Sequence, residues 1–275
     1  MTTTKVQRIA GHIMPVNSYL VEAPDGIVVV DGMLAVSDAR LVREEIERIG
    51  KPVLGAVVTH AHPDHYAGLA EMLGSRGVPI FATAAVRHAI ERDDEAKNKI
   101  VGPMMQDEWP KTRVFPGVDV TAGSTLRLGS LSFDVVDLGP GESPADSLYR
   151  LSDGEWFVGD LVYSRMHSYL ADGFATQWLA CLDRLERELI PSALLYAGHG
   201  DPGGTALIDA QRRYVQVFME SVDRHLSAAP AERRAAVVTD MKRFLPTEDL
   251  AFLMELSVDP YVARLQATAE PPVHG

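Results

Sequence analysis

The sequence predicts an α/β protein. Three observations predict it. Short β-branched apolar runs alternate with amphipathic stretches between residues 17 and 93, strand-like runs return between 125 and 163, and the spacing after Gly204 is helical. SYLVEAPDGIVVVDG holds two apolar runs around a Pro-Asp-Gly turn, the pattern of a hairpin. Ile27 to Val30 is continuous and β-branched, as a strand covered on both faces requires. Asp38 is placed to cap a helix on which Val42, Ile46 and Ile49 share a face, and Gly50 ends it. Leu54 to Thr59 reads as a second buried strand. Tyr66 to Leu73 then reads as a helix, Pro79 to Ala82 as a strand and Ala84 to Asp93 as a helix.

Residues 98–117 break the rhythm. Three prolines and two glycines predict a long irregular loop, a kind of segment that often carries function. Its Met104, Met105 and Trp109 form either an apolar lid or a patch packed on the C-terminal helices. Strands resume in TLRLG and LSFDVVDLG. They continue in SLYRLSDGEWFVGDLVY, around a Ser-Asp-Gly turn. ATQWLACLDRLEREL is amphipathic, with Trp178, Leu182, Leu185 and Leu189 on one face and Cys181 beside them in a structural role. SALLYAG is a strand that leads into His199. Helices follow, with Ile208, Val215, Phe218, Val222 and Leu226 in one stripe, then shorter ones near 231–244 and 247–256. The tail EPPVHG is expected to be disordered.

Composition narrows the function. Lys and Arg number 26 against 38 Asp and Glu, a net charge of −12 that repels phosphate backbones and anionic membranes. A single cysteine excludes an internal disulfide framework and fits a reducing compartment. The N-terminus shows no signal-peptide pattern, and no apolar run approaches a membrane span, so the expected location is cytoplasmic.

The strongest chemical signal is Thr59-His60-Ala61-His62-Pro63-Asp64-His65. Nine histidines occur in the chain, and three of them fall within these few positions. Imidazole suits zinc, iron and related ions, and a carboxylate adds neutralising charge. Residues two apart on extended backbone point the same way, so His60 and His62 can chelate one ion together. Asp64 and His65 sit where the chain turns, beside a second ion. The cluster follows a buried strand at its carboxyl end, where open α/β sheets place their ligands. No Gly-x-Ser-x-Gly, phosphate loop or dinucleotide fingerprint is present.

This motif resembles that of the metallo-β-lactamase-fold hydrolases, over about residues 10–204. The resemblance implies an αβ/βα four-layer sandwich of two sheets with helices outside, residues 1–204, and a C-terminal helical extension, 205–275, packed on it. It implies two divalent ions, zinc first with manganese or iron as alternatives. One ion takes His60, His62 and Glu142, the other Asp64, His65 and His199, and Asp160 bridges them. Glu142, in Leu138-Gly-Pro-Gly-Glu-Ser-Pro144, stands where the family usually has histidine. Asp160 lies in Phe-Val-Gly-Asp, and His199 in Ala-Gly-His-Gly. Asp31 matches a supporting position behind the ligands, and His167 is close enough in sequence to line the pocket.

The activity implied is metal-dependent hydrolysis of an ester-type acyl bond, with water activated by the two ions. Asp64 or Tyr163 assists proton transfer; the family's acyl-homoserine-lactone lactonases place a tyrosine like Tyr163. This points to a small lactone or ester with an apolar acyl part. A glyoxalase II-like thioesterase is the nearest alternative, although no basic cluster suits a glutathione carboxylate. A β-lactamase reading is weakened by Asp160, where those enzymes often carry cysteine. An iron oxygenase or oxidoreductase of the same fold and a non-catalytic binding module remain alternatives. The C-terminal helices either cover the pocket or form a homodimer interface.

Overall fold

The computed structural model describes residues 4–151 and 154–269. Two sheets face each other. The first runs in sequence order: β1 (Lys5–Ala10), β2 (Asn17–Ala23), β3 (Gly26–Val30), β4 (Val53–Val57), β5 (Ile80–Thr83) and β6 (Val118–Val120). The β2–β3 pair is the expected hairpin, closing at Ala23 opposite Gly26. From β3 to β6 the strands are parallel, so their carboxyl ends share one edge.

The second sheet has the order β11 (Leu194–His199), β10 (Glu155–Tyr163), β9 (Asp146–Leu151), β8 (Leu131–Gly139) and β7 (Thr125–Leu128). It is antiparallel except for the β10–β11 pair. Of the Ser-Asp-Gly turn between β9 and β10, Ser152 and Asp153 lie outside the described residues, as does the tail EPPVHG.

The period-2 pattern of the strands builds the layers. Val28 and Val30 of β3 point inward to meet Phe133 and Val135 of β8 and Phe157 of β10, forming the core between the sheets. Tyr19, Phe157 and Tyr196 pack there ring to ring. The alternate residues Ile27 and Val29 point outward, into a cluster with Val42 and Ile46 of helix α1 (Val36–Ile49). On the other sheet Trp156 and Val158 share that cluster with Trp178 and Leu182 of α4 (Ala175–Glu188) and Phe218 of α5 (Ala206–Arg224). Helices thus cover both outer faces, as the sandwich requires. Val237 and Met241 of α6 (Pro230–Phe244) and Met254 and Val258 of α7 (Ala251–Ala269) join the same cluster. Among the described residues no helix is long and apolar enough to cross a membrane.

Several local expectations change. Asp38 does not cap its own helix; it lies inside the first turn of α1 and accepts from the backbone N–H groups of His12, Ile13 and Met14. It thereby ties the loop before β2 to α1, a contact across 24 to 26 residues that local spacing does not encode. The helix expected over 66–73 is shortened to α2 (Leu69–Leu73), with a separate 3-10 turn (Pro63–His65) before it. Gly68 N–H donates to Met33 O instead of continuing a helix.

The irregular loop expected over 98–117 is largely helical. α3 runs Ala84–Met105, with Pro103 on its exposed side, and a 3-10 turn Gln106–Glu108 follows. Trp109 is no lid: it folds back with Nε1 donating to Asn98 Oδ1 at 2.7 Å and Arg113 over its ring, while Met104 is exposed. α7 continues past residue 256 through Pro260. His167 is buried away from the ligand cluster. Its Nδ1 pairs with Tyr214 Oη at 2.9 Å and its Nε2 with Thr247 O at 3.2 Å, pinning the C-terminal segment.

Candidate metal centre

The carboxyl ends of the strands converge at one end of the sandwich. β4 delivers Thr59 to His65, the β8–β9 turn delivers Glu142, β10 delivers Asp160 and Tyr163, and β11 ends on His199. Two glycines let these segments meet. A Cβ at Gly159 (φ +52°) lies 2.5 Å from Thr59 Oγ1, and one at Gly198 lies 1.9 Å from Asp160 Oδ1. A larger residue at Gly159 displaces Thr59, the partner of His60, and one at Gly198 displaces the candidate ligand Asp160.

Seven residues form two overlapping groups of donor atoms positioned for a dinuclear metal site: His60, His62, Glu142 and Asp160, and Asp64, His65, Asp160 and His199. Asp160 belongs to both. The separations across the two groups are short. His62 Nδ1 is 2.9 Å from Glu142 Oε2, and His60 Nε2 is 3.6 Å from the same oxygen. His65 Nε2 lies 3.2 Å from Asp160 Oδ1, and His199 Nε2 lies 3.1 Å from Asp160 Oδ2 and 3.2 Å from Asp64 Oδ2. All seven are buried, with His62 at 8% and Asp64 at 7% the most exposed.

Each imidazole has one nitrogen facing inward and the other held from outside. His60 Nδ1 is 3.0 Å from Thr59 Oγ1, which donates to Asp31 Oδ2 at 2.8 Å. The same Asp31 oxygen lies 3.0 Å from His65 Nδ1. His199 Nδ1 donates to Pro15 O at 2.6 Å, and His62 Nε2 meets Asp172 Oδ2 at 2.9 Å. Such outer partners fix the ring orientation of a metal-binding histidine.

Most of the inward atoms make no hydrogen bond of good geometry. His60 Nε2, His65 Nε2, His199 Nε2, Glu142 Oε2 and Asp160 Oδ1 are buried without a hydrogen-bond partner in the described structure. Each such orphan costs about 1–3 kcal/mol. Five of them aimed into one space fit cations, and a set of nitrogen and oxygen donors without sulfur suits zinc, manganese or iron.

The electrostatics of the metal-free cluster agree. Burial resists charge at every group, and the outcome depends on neighbours. His60 is held well below the usual histidine range by burial and by His65. His199, opposed by burial but flanked by Asp160 and Asp64, is pushed up to about 10. Asp160, despite its burial, is held well below the carboxylate range by His199, His65 and His60. Burial pushes Glu142 up to about 7 against the pull of His62. Tyr163 is raised well above its ordinary value by burial and by the charges of Asp160 and Glu142, so its phenol stays protonated. Its hydroxyl lies 2.7 Å from Asp160 Oδ2 and 3.1 Å from Glu142 Oε1, and its ring stacks on His199.

A family model described as the metallo-beta-lactamase superfamily matches residues 13–199. The chain belongs to the metallo-β-lactamase superfamily. The match includes all seven candidate ligands. A hydroxyacylglutathione hydrolase of Albidiferax ferrireducens is 27% identical over 152 residues, 54% of this chain and 49% of the relative, so the alignment spans about half of that protein. A metallo-beta-lactamase type 2 of Bacillus cereus is 21% identical over 213 residues, 74% of this chain and 75% of the relative. Among solved structures, a beta-lactamase domain protein from Burkholderia ambifaria superposes with a TM-score of 0.69 at 22% identity, covering 99% of this chain and 88% of that one. That likeness shows the fold.

Within this superfamily fold, sequence reasoning missed two residues beside the ligands. Asp172 is 110 positions from the His62 it touches, and Lys97 lies on α3, donating from Nζ to Ala61 O. Neither stands in a motif. Only the packing of α3 and the 164–174 loop against the His-rich segment brings them in.

Proposed function

We propose that this chain is a dinuclear metal hydrolase that opens the ester-type acyl bond of a small lactone or ester. One observation carries the reading. A buried phenol, Tyr163, stands where the two donor groups meet, with Asp160 and Glu142 both in hydrogen-bond reach. An ester or lactone releases an alkoxide, which needs a proton as the bond breaks. The phenol is held protonated and supplies that proton. His60, His62 and Glu142 would hold one cation and Asp64, His65 and His199 the other, with Asp160 common to both donor groups. When bound, the two cations supply Lewis acidity and lower the pKa of water toward neutrality. Zinc is the first candidate, then manganese or iron.

Asp64 has the second role. It is among the most exposed of the candidate ligands and lies 3.2 Å from His199 Nε2. Although burial opposes its charge, His65 and His199 keep it ionised, so it faces the site as a hydrogen-bond acceptor. A thioester is the second reading. It is favoured by relatives named hydroxyacylglutathione hydrolase, of which one from Methylobacillus flagellatus is 25% identical over 82% of this chain.

The test is a panel of lactones, esters and thioesters with zinc- or manganese-loaded protein, followed by product analysis. Metal-dependent release of the hydroxy acid from lactones or esters, abolished by a chelator, supports the reading. Turnover of thioesters alone shifts it to the second reading. Oxygen consumption without hydrolysis overturns both.

A further inference from the structure

We infer that Lys97 recognises an anionic group on the substrate, so that the substrate is an acyl compound carrying a carboxylate. This rests on the hydrolase reading above. α3 leaves the carboxyl end of β5, and its fourth turn brings Lys97 across the His-rich segment. There the ammonium donates to Ala61 O, the carbonyl between His60 and His62. The charge therefore sits within one residue of two candidate ligands, His60 and His62.

The partners of this lysine are incomplete. An ammonium has three donors, and one acceptor is present. Among the described residues no carboxylate lies within 4.0 Å of Lys97. Its neighbours on the helix are paired, Arg92 with Asp93 and Lys99 with Glu95. The side chain is half-buried, and burial lowers its affinity for the proton. Desolvating an ammonium is costly, and one neutral hydrogen bond does not offset it. A neutral donor serves Ala61 O equally well, so this hydrogen bond does not by itself account for the charge.

The surrounding carboxylates attract the charge, but none touches it. Asp172, Asp93, Asp64 and Glu142 all act on Lys97 from a distance. Asp172 faces His62, Asp93 Arg92, Asp64 His199, and Glu142 His62 and Tyr163. Two donors of a compact, half-buried cation beside the ligand cluster are left for an incoming anion. Tyr169 also lies beside His62, its ring edge-on at 5.3 Å. A carboxylate held there directs the rest of a short acyl chain toward the paired donor groups.

The test compares two aryl esters of similar size, a hemisuccinate and a butyrate, with zinc-loaded wild type, Lys97→Met and Lys97→Arg. The ratio of kcat/KM for hemisuccinate over butyrate is expected to fall about tenfold in Lys97→Met through KM, and to recover in part in Lys97→Arg. An unchanged ratio overturns the inference, because a merely structural lysine lowers both esters alike. Succinate binding to the zinc-loaded proteins, measured by calorimetry, gives a readout free of turnover. If neither ester is hydrolysed, the hydrolase reading fails by itself. Tighter succinate binding by wild type than by Lys97→Met then still supports the lysine's role, and equal binding overturns it.

Discussion

Replacing Glu142 with glutamine separates two effects of one buried carboxylate. In the metal-free protein its carboxyl is pushed by burial from 4.5 up to about 7. The folded chain then holds a proton that the unfolded chain has already released. The destabilisation is absent below about 4.5, grows as pH rises through the window up to about 7, and is complete above it. At 1.36 kcal/mol per pH unit this amounts to about 3 kcal/mol at pH 8. Glutamine keeps the shape without the charge. Stripped of metal at pH 8, Glu142→Gln is expected to melt roughly 6 °C above stripped wild type, at about 2 °C per kcal/mol for a chain of this size. At pH 5 the gain shrinks below about 1 kcal/mol. With metal present the sign reverses, because a neutral amide is a poorer ligand than a carboxylate. Scanning calorimetry of the stripped proteins and elemental mass spectrometry of the untreated ones measure the two effects. A stripped variant that melts no higher than wild type at pH 8 refutes the burial argument. Wild-type metal content in the variant refutes the ligand role.

Three further substitutions probe other parts of the site. Tyr163→Phe removes the phenolic proton and is expected to lower kcat on lactones about 100-fold while metal content stays at the wild-type level; undiminished turnover removes the tyrosine from the chemistry. Asp172→Asn weakens the outer support of His62, so a chelator competition should show metal bound roughly 10–100-fold more weakly, with activity restored by excess metal. Equal affinities in the two proteins leave Asp172 without that role. Gly198→Ala forces a Cβ to within 1.9 Å of Asp160 Oδ1, and the displaced carboxylate should cost metal binding and about 1–3 kcal/mol of stability in calorimetry.

Much of the framework is legible in the sequence because its causes are local. The β2–β3 hairpin follows from a turn signal between two apolar runs, and the inward and outward faces of β3 follow from period 2. Helix ends are less legible. Pro103 and Gly102 read as breakers, yet α3 runs on to Met105, because Pro103 faces solvent and Trp109 folds back onto Asn98. Asp38 has the spacing of a cap, but its carboxylate serves the backbone of 12–14.

The candidate site divides in the same way. His60, His62, Asp64 and His65 are visible because extended backbone followed by a turn brings neighbours in sequence to one point in space. That Glu142, Asp160 and His199 close the two donor groups is decided by two sheets ending at one edge, with Gly159 and Gly198 letting the strands approach. The sequence by itself determined the metal-binding character of one segment and the layered α/β plan. Which carboxylate orients His62, and which cation stands beside Ala61, only the tertiary structure decided. The physical reason is that Asp172 and Lys97 arrive on a loop and a helix whose positions depend on long-range packing, and no local pattern encodes it.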